Sequence, residues 1–268
     1  MNTLTLPLFS PSRIAATMRA AVPDLVIEAV RATGSTNADL LARIGQMAGP
    51  VLLVADQQLA GRGRAGRTWH SQVGASLTCS LAWRFHLPIQ ALTGLSLVVG
   101  IALADALAQR GERVQLKWPN DLLCDGKKLG GVLIETALDP HLSGAQWAVI
   151  GIGINLQQSA ALHAAVGNPV AALSASNADD RDALLAALLD HLCSELRHFE
   201  RDGFGPFASR WNALHAHRDQ PVSIVDRGRT LCDGIARGVD AQGCLQLDTV
   251  DGPRAIVAGD VSLRAVQG

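Results

Sequence analysis

The chain has 268 residues, 48% hydrophobic and 18% charged, with a formal net charge of −1. That length suits one or two packed domains, and the composition excludes a disordered tail or a fibrous repeat. The near-neutral balance excludes a globally basic binder of nucleic acid or anionic membrane, so any anion site has to be local.

The opening stretch, MNTLTLPLFSPSRIAATMRA, lacks a basic start followed by an unbroken apolar run, so it reads as no secretory leader. In GSTNADLLARIGQM, Ser35 or Thr36 stands as an N-cap ahead of apolar residues at helical spacing. PVLLVAD then reads as a short apolar strand, and ASLTCSLAW as a half-buried one. Residues 85–104 carry no formal charge and approach the roughly 20 residues of a membrane span. Pro88, Gln90, Thr93, Ser96 and two glycines interrupt them, so the reading is a buried helix over 89–110 that ends near Gly111. VQLKWPNDLLCDGKKLGGVLIET predicts strand, turn, strand, with Asp125-Gly126 as the turn signal. QWAVIGIGINL predicts another buried strand. DDRDALLAALLDHLCSELRHFER is an amphipathic helix, followed by a shorter one around 205–215.

After Pro221 the texture changes to short alternating runs separated by Gly, Asp and Pro, with no helical period. That predicts a small all-β unit, read as a barrel that closes its own edges. The expected class is α+β: a body with a mixed sheet flanked by helices over 1–218, and the β unit over 219–268. The five cysteines are scattered without a CxxC pair, which fits a reduced cytoplasmic protein better than a disulfide scaffold.

AGRGRAGRTWHS packs Arg62, Arg64 and Arg67 among Gly61, Gly63 and Gly66. The glycines satisfy G-x-G-x-x-G, but the next element reads as a strand, and no Asp or Glu occurs between Asp56 and Asp105. A dinucleotide fold needs both a helix and an acid there, so that reading is rejected, and no Walker A pattern occurs. What survives is a flexible cationic loop. Its backbone N–H groups and guanidinium forks suit phosphate or carboxylate oxygens, and the neighbouring Trp69 suits either stacking on a base or covering an apolar ligand. Such a loop is expected to be loose when empty and ordered when occupied. The plain alternative is a solvated surface loop.

KWPND combines Lys117, Asn120 and Asp121 about a rigid proline. A carboxylate beside phosphate-binding cations is a natural Mg²⁺ position, and a capped turn is the alternative. In GKKLGGVLIE, Lys128 is a mobile point charge just before Gly130 and Gly131, where a flat ligand can approach the backbone. The alternative is a hairpin with idle lysines. His215 and His217, read at a helix end, are expected to point apart and bind no metal. His191 and His198 read as packing.

These stretches, with STN at 35–37 and GIGINL at 151–156, resemble the biotin–protein ligases over roughly residues 33–156. The terminal β segment looks like that family's SH3-like domain. The resemblance implies a reaction in which the biotin carboxylate attacks the α-phosphate of ATP. The resulting biotinyl-5′-AMP then acylates a lysine of a biotin carboxyl carrier protein domain. By the same resemblance, biotin meets Ser35, Thr36, Asn37, Gln58, Arg62, Gly63, Arg64, Lys128, Gly131 and Gly151. ATP or AMP meets Arg62, Arg67, Trp69, Lys117, Asn120 and Asn155. Lys128, Arg64 and Asp121 are the implied catalytic set, with Mg²⁺ on Asp121.

Two departures stand out. Ala65 occupies a loop position that is often arginine in the family. Only 34 residues precede Ser35, so the expectation is a ligase-only type with no operator binding, and a homodimer is left open. A lipoate or octanoyl ligase is the runner-up, disfavoured by GRGRAGRTW and KWPND. An RNA-binding module is disfavoured by the neutral charge and by only 5 Trp and 5 Phe with no Tyr.

Overall fold

The computed structural model describes residues 7–159, 165, 170–226, 229–257 and 261–265. Helix α1 (Pro11–Thr17) leads into β1 (Val26–Thr33), α2 (Thr36–Ala42), β2 (Val51–Gln58), β3 (Ser76–Phe85) and α3 (Leu95–Ala108). Next come β4 (Gln115–Lys117), β5 (Asp121–Cys124), β6 (Lys127–Leu138) and β7 (Gln146–Asn155). Helices α4 (Ala175–Asp179), α5 (Arg181–Asp202) and α6 (Ala208–Leu214) precede β8 (Pro221–Asp226), β9 (Arg229–Val239), β10 (Leu245–Thr249), β11 (Gly252–Ile256) and β12 (Val261–Ala265).

The first seven strands form one mixed sheet in the order β1-β2-β3-β7-β6-β5-β4. Only β1 and β2 pair in parallel, and every other neighbour is antiparallel. Because side chains alternate across a strand, β2 serves both faces. Leu52 and Val54 join the main core with α3 and α5, whereas Val51 and Leu53 pack with Leu40 of α2. The same two-sided burial corrects one expectation: β3 is buried almost throughout, not half-buried.

The predicted helix over 89–110 is split. A 3-10 turn spans Ile89–Leu92, and α3 starts after Gly94, whose φ of 84° is a left-handed conformation that breaks the run. The stretch Ile89–Ala108 is long and apolar enough to cross a membrane, yet most of it is buried inside the fold. Strand, turn, strand at 114–136 becomes three strands, because Trp118–Asn120 form a turn of their own around a cis Trp118–Pro119 bond. The Asp125-Gly126 hairpin is as predicted, with φ of 49° and 71°.

The residues before α2 carried no structural expectation. Phe9 and Ile14 are buried, and the Asp56 carboxylate accepts from Leu8 N at 3.0 Å, which docks this segment on the body.

The C-terminal unit is a five-stranded antiparallel sheet in the order β11-β10-β9-β8-β12. Among the described residues this order is open, and no β11–β12 pairing closes it into a barrel. Val222, Ile224, Leu245 and Leu263 belong to the same hydrophobic cluster as α3 and α5, so the core runs on across the junction near residue 219.

Candidate active site

Every site residue expected from the sequence lines a single cavity of about 880 Å³. Four parts of the chain build it: the first turn of α2, the loop 59–75, the ends of β5–β7, and the seam with the C-terminal sheet.

The first wall starts at Ser35, the N-cap of α2, whose hydroxyl accepts from Ala38 N at 3.5 Å. Capping turns Thr36 and Asn37 inward, where both are buried. Gln58 Oε1 accepts from Thr36 N at 2.9 Å. Thr36 Oγ1 lies 2.6 Å from Ser80 Oγ, which donates to Asn37 Oδ1 at 2.6 Å. Asn37 Nδ2 donates to Glu135 Oε2 at 2.8 Å. Buried polar groups linked in this way are rigid and satisfied. Gly151 makes room for the chain of bonds, since a Cβ there would stand 2.5 Å from Asn37 Oδ1.

The second wall is the arginine loop. It is a hairpin in which Arg62 bridges to Thr68. Gly63 N donates to Arg67 O at 2.6 Å, and Trp69 N donates to Gly61 O at 2.9 Å. Ala65 and Gly66 make the tip at φ 53° and 70°. Arg62 Nη2 reaches Glu135 Oε2 at 2.9 Å, and Arg64 Nη1 donates to Asn120 Oδ1 at 3.4 Å. The Trp69 ring lies directly on Gly153, where any Cβ would collide with the indole, and its buried Nε1 has no partner among the described residues.

The third wall holds the lysines. Lys128 Nζ is 2.5 Å from Asp121 Oδ1, and Lys117 Nζ is 3.9 Å from Asp121 Oδ2. Burial pulls the Lys117 pKa below the usual lysine value; Asp121 opposes this, while Lys128, Arg67 and Arg264 add to it. Asn120 Nδ2 donates to Val132 O at 2.7 Å, and Asn155 Nδ2 to Ala171 O at 3.0 Å. Cys79 also lines the cavity, but burial pushes its thiol up to about 12, so it is no thiolate nucleophile.

Among the described residues no three His, Cys, Asp or Glu side chains come together as ligands. Asp121, the sequence candidate for magnesium, already has two ammonium partners. His215 and His217 do not point apart as expected. Their ring centroids are 6.2 Å apart, because His215 leaves α6 to bridge Leu116.

Among the cavity and wall residues that the sequence reading did not assign to the site are Ser80, Glu135, Gly153, His217 and Arg264. Gly153 was available as the glycine two residues after Gly151, on the same face of β7. Glu135 ends the quoted KLGGVLIE. Nothing local marks His217 or Arg264, which arrive from the C-terminal part of the chain.

A loop of arginines and a pair of lysines around one cavity make a site suited to phosphate- or carboxylate-bearing ligands. Residues 29–155 match the Biotin/lipoate A/B protein ligase family, and the chain belongs to it. Residues 217–264 match the Biotin protein ligase C terminal domain, which narrows the class to the biotin protein ligases. The chain is 37% identical over 235 residues to the bifunctional ligase/repressor BirA of Escherichia coli (strain K12), covering 87% of this chain and 72% of that protein. It is 34% identical over 242 residues to the biotin–acetyl-CoA-carboxylase ligase of Mycobacterium tuberculosis, covering 88% of each. A solved structure of the biotin protein ligase from Aquifex aeolicus in complex with biotin and ATP aligns with a TM-score of 0.70 at 27% identity. That alignment covers 91% of this chain and 100% of the other.

Proposed function

We infer that the chain activates biotin with ATP and transfers it to a lysine of a carrier domain. The observation that carries this reading is the single cavity in which the capped α2 turn, the arginine loop and the Lys117–Asp121–Lys128 cluster meet.

In the first step a biotin carboxylate oxygen forms a bond to the α-phosphorus. The bond from that phosphorus to the bridging oxygen breaks, and pyrophosphate leaves with the electron pair. Two unit charges ~4 Å apart repel by roughly 4 kcal/mol at an effective dielectric of ~20. Arg62, Arg64 and Lys128 line the cavity and oppose that repulsion as charge builds on the phosphorus oxygens. In the second step the carrier amine bonds to the acyl carbon, AMP departs with the acyl–oxygen electrons, and the amine loses its proton. No side chain forms a covalent intermediate in either step.

Ser35, Thr36, Asn37 and Gln58 supply fixed donors and acceptors for the ureido ring, with Gly131 and Gly151 letting it lie close to the sheet. Trp69, Asn155, Arg67, Lys117 and Asn120 face the nucleotide. Magnesium would enter with ATP and offset part of its charge; Asp121, a carboxylate on the cavity wall, is the residue that would hold it, in exchange for its lysine partners. The family also embraces lipoate ligases; the C-terminal match and the named relatives favour biotin.

The deciding experiment incubates the protein with Mg-ATP, a biotin carboxyl carrier protein domain, and either biotin or lipoate. One biotinyl group on one carrier lysine is expected. Labelling by lipoate alone, or none by either acid, refutes the reading.

A further inference from the structure

Glu135 lies on β6, its side chain 28% exposed. A single carboxylate oxygen, Oε2, accepts from Arg62 Nη2 at 2.9 Å and from Asn37 Nδ2 at 2.8 Å. The two donors come from different walls, one from the loop and one from the α2 turn. Beyond Asn37 the chain of bonds continues through Ser80 to Thr36 and Gln58. Across the cavity, Asp121 is engaged by Lys128 at 2.5 Å. The loop itself holds no acid, since none occurs between Asp56 and Asp105.

We propose that Glu135 is a positioning residue that fastens the arginine loop to the wall facing the acid substrate. Through Arg62 it sets the closed position of the loop, and through Asn37 it fixes the amide that lines the recess. Anything that orders Asn37 therefore also orders the loop. The identity of the bound acid rests on the proposed function; the fastening does not. Because both neighbours are donors, glutamine is a poor substitute: it removes the charge and brings an NH₂ group toward N–H groups.

The test is trypsin cleavage of the ligand-free protein at Arg64 and Arg67. Glu135→Gln is expected to speed cleavage about 10-fold, the size of one lost charge-assisted bond. Arg62→Gln should do the same by removing the other half of the contact. The double variant should be no faster than Glu135→Gln alone, because the Arg62 contact is already lost there. Thermal melting is measured alongside, so that loop opening is told apart from global destabilisation, and it should stay within a few degrees of the parent. Biotinyl-AMP should leave Glu135→Gln faster by a similar factor.

Parent-like cleavage in Glu135→Gln, or additive effects in the double variant, overturns the proposal. If one variant fails to fold, the other still decides. Proteolysis of the empty protein requires no turnover, so its result stands whichever acid the carrier-labelling assay identifies.

Discussion

Acid should loosen this protein at a seam, and His215 is the reason. The residue is 5% exposed, with its ring 4.6 Å from that of Trp211, and neither ring nitrogen has a hydrogen-bond partner among the described residues. Burial is the main cause that pulls its pKa from 6.5 down to about 4; His217 and Arg218 contribute, and Asp219 opposes them. Between those two values the unfolded chain binds the proton and the folded chain does not, so stability rises with pH across that window. The contribution is complete above pH ~6.5 and is lost progressively as pH falls through the depressed value. At ~1.4 kcal/mol per unit, the shift corresponds to about 3 kcal/mol. His217, also lowered, first by burial and then by Lys117, adds in the same direction. The assay is urea unfolding at several pH values between 4 and 8, comparing the parent with His215→Leu. The variant should match or exceed the parent at pH 7.5, since it removes two unpartnered buried nitrogens. It should also lose about 3 kcal/mol less than the parent on acidification. Superimposable pH profiles for the two proteins would show that His215 is not the acid-sensitive group.

Three substitutions probe the cavity. Gly151→Ala drives a methyl to within 2.5 Å of Asn37 Oδ1, and should raise the KM for biotin in pyrophosphate exchange at least ~10-fold, about one buried hydrogen bond; an unchanged KM would refute the placement of the ureido ring. Lys128→Ala should lower the exchange rate by ~100-fold or more, and a near-parent rate would remove Lys128 from the chemistry. Arg64→Ala should accelerate escape of biotinyl-AMP more than it slows attack by the carrier lysine, a split that rapid-quench kinetics resolves.

What the sequence made legible was whatever is contiguous. STN, GRGRAGR, KWPND and KLGG each carry their own geometry: a cap, a glycine hairpin, a rigid turn and a close approach. Sheet order brings them together, and all of them line the cavity. Less legible was what register creates. Glu135 meets Asn37 because β6 pairs with β7 beside Gly151 while α2 packs over it, and Ser80 reaches Thr36 because β3 runs beneath α2. β1 was missed because VIEAVRAT mixes two charges into a short run, and its place in the sheet comes from parallel pairing with β2. The cavity positions of His217 and Arg264 were not legible because they depend on how the C-terminal part of the chain packs on the body.

The net charge of −1 and the strongly cationic cavity are two sides of one arrangement. Arg62 is answered by Glu135, and Lys128 by Asp121. Each cation is thus held in position before a ligand arrives, which avoids the penalty of a lone buried charge. Lys117 is different: its one acidic partner is distant and shared, and burial pulls its pKa down. Polyphosphate entering the cavity brings further negative charge to Lys117, so nucleotide binding should raise its pKa and draw a proton onto the protein. Calorimetric titration of ATP in buffers of different ionisation enthalpy measures that uptake. It should be largest toward alkaline pH and should vanish in Lys117→Met, and uptake that survives the substitution would locate the proton elsewhere.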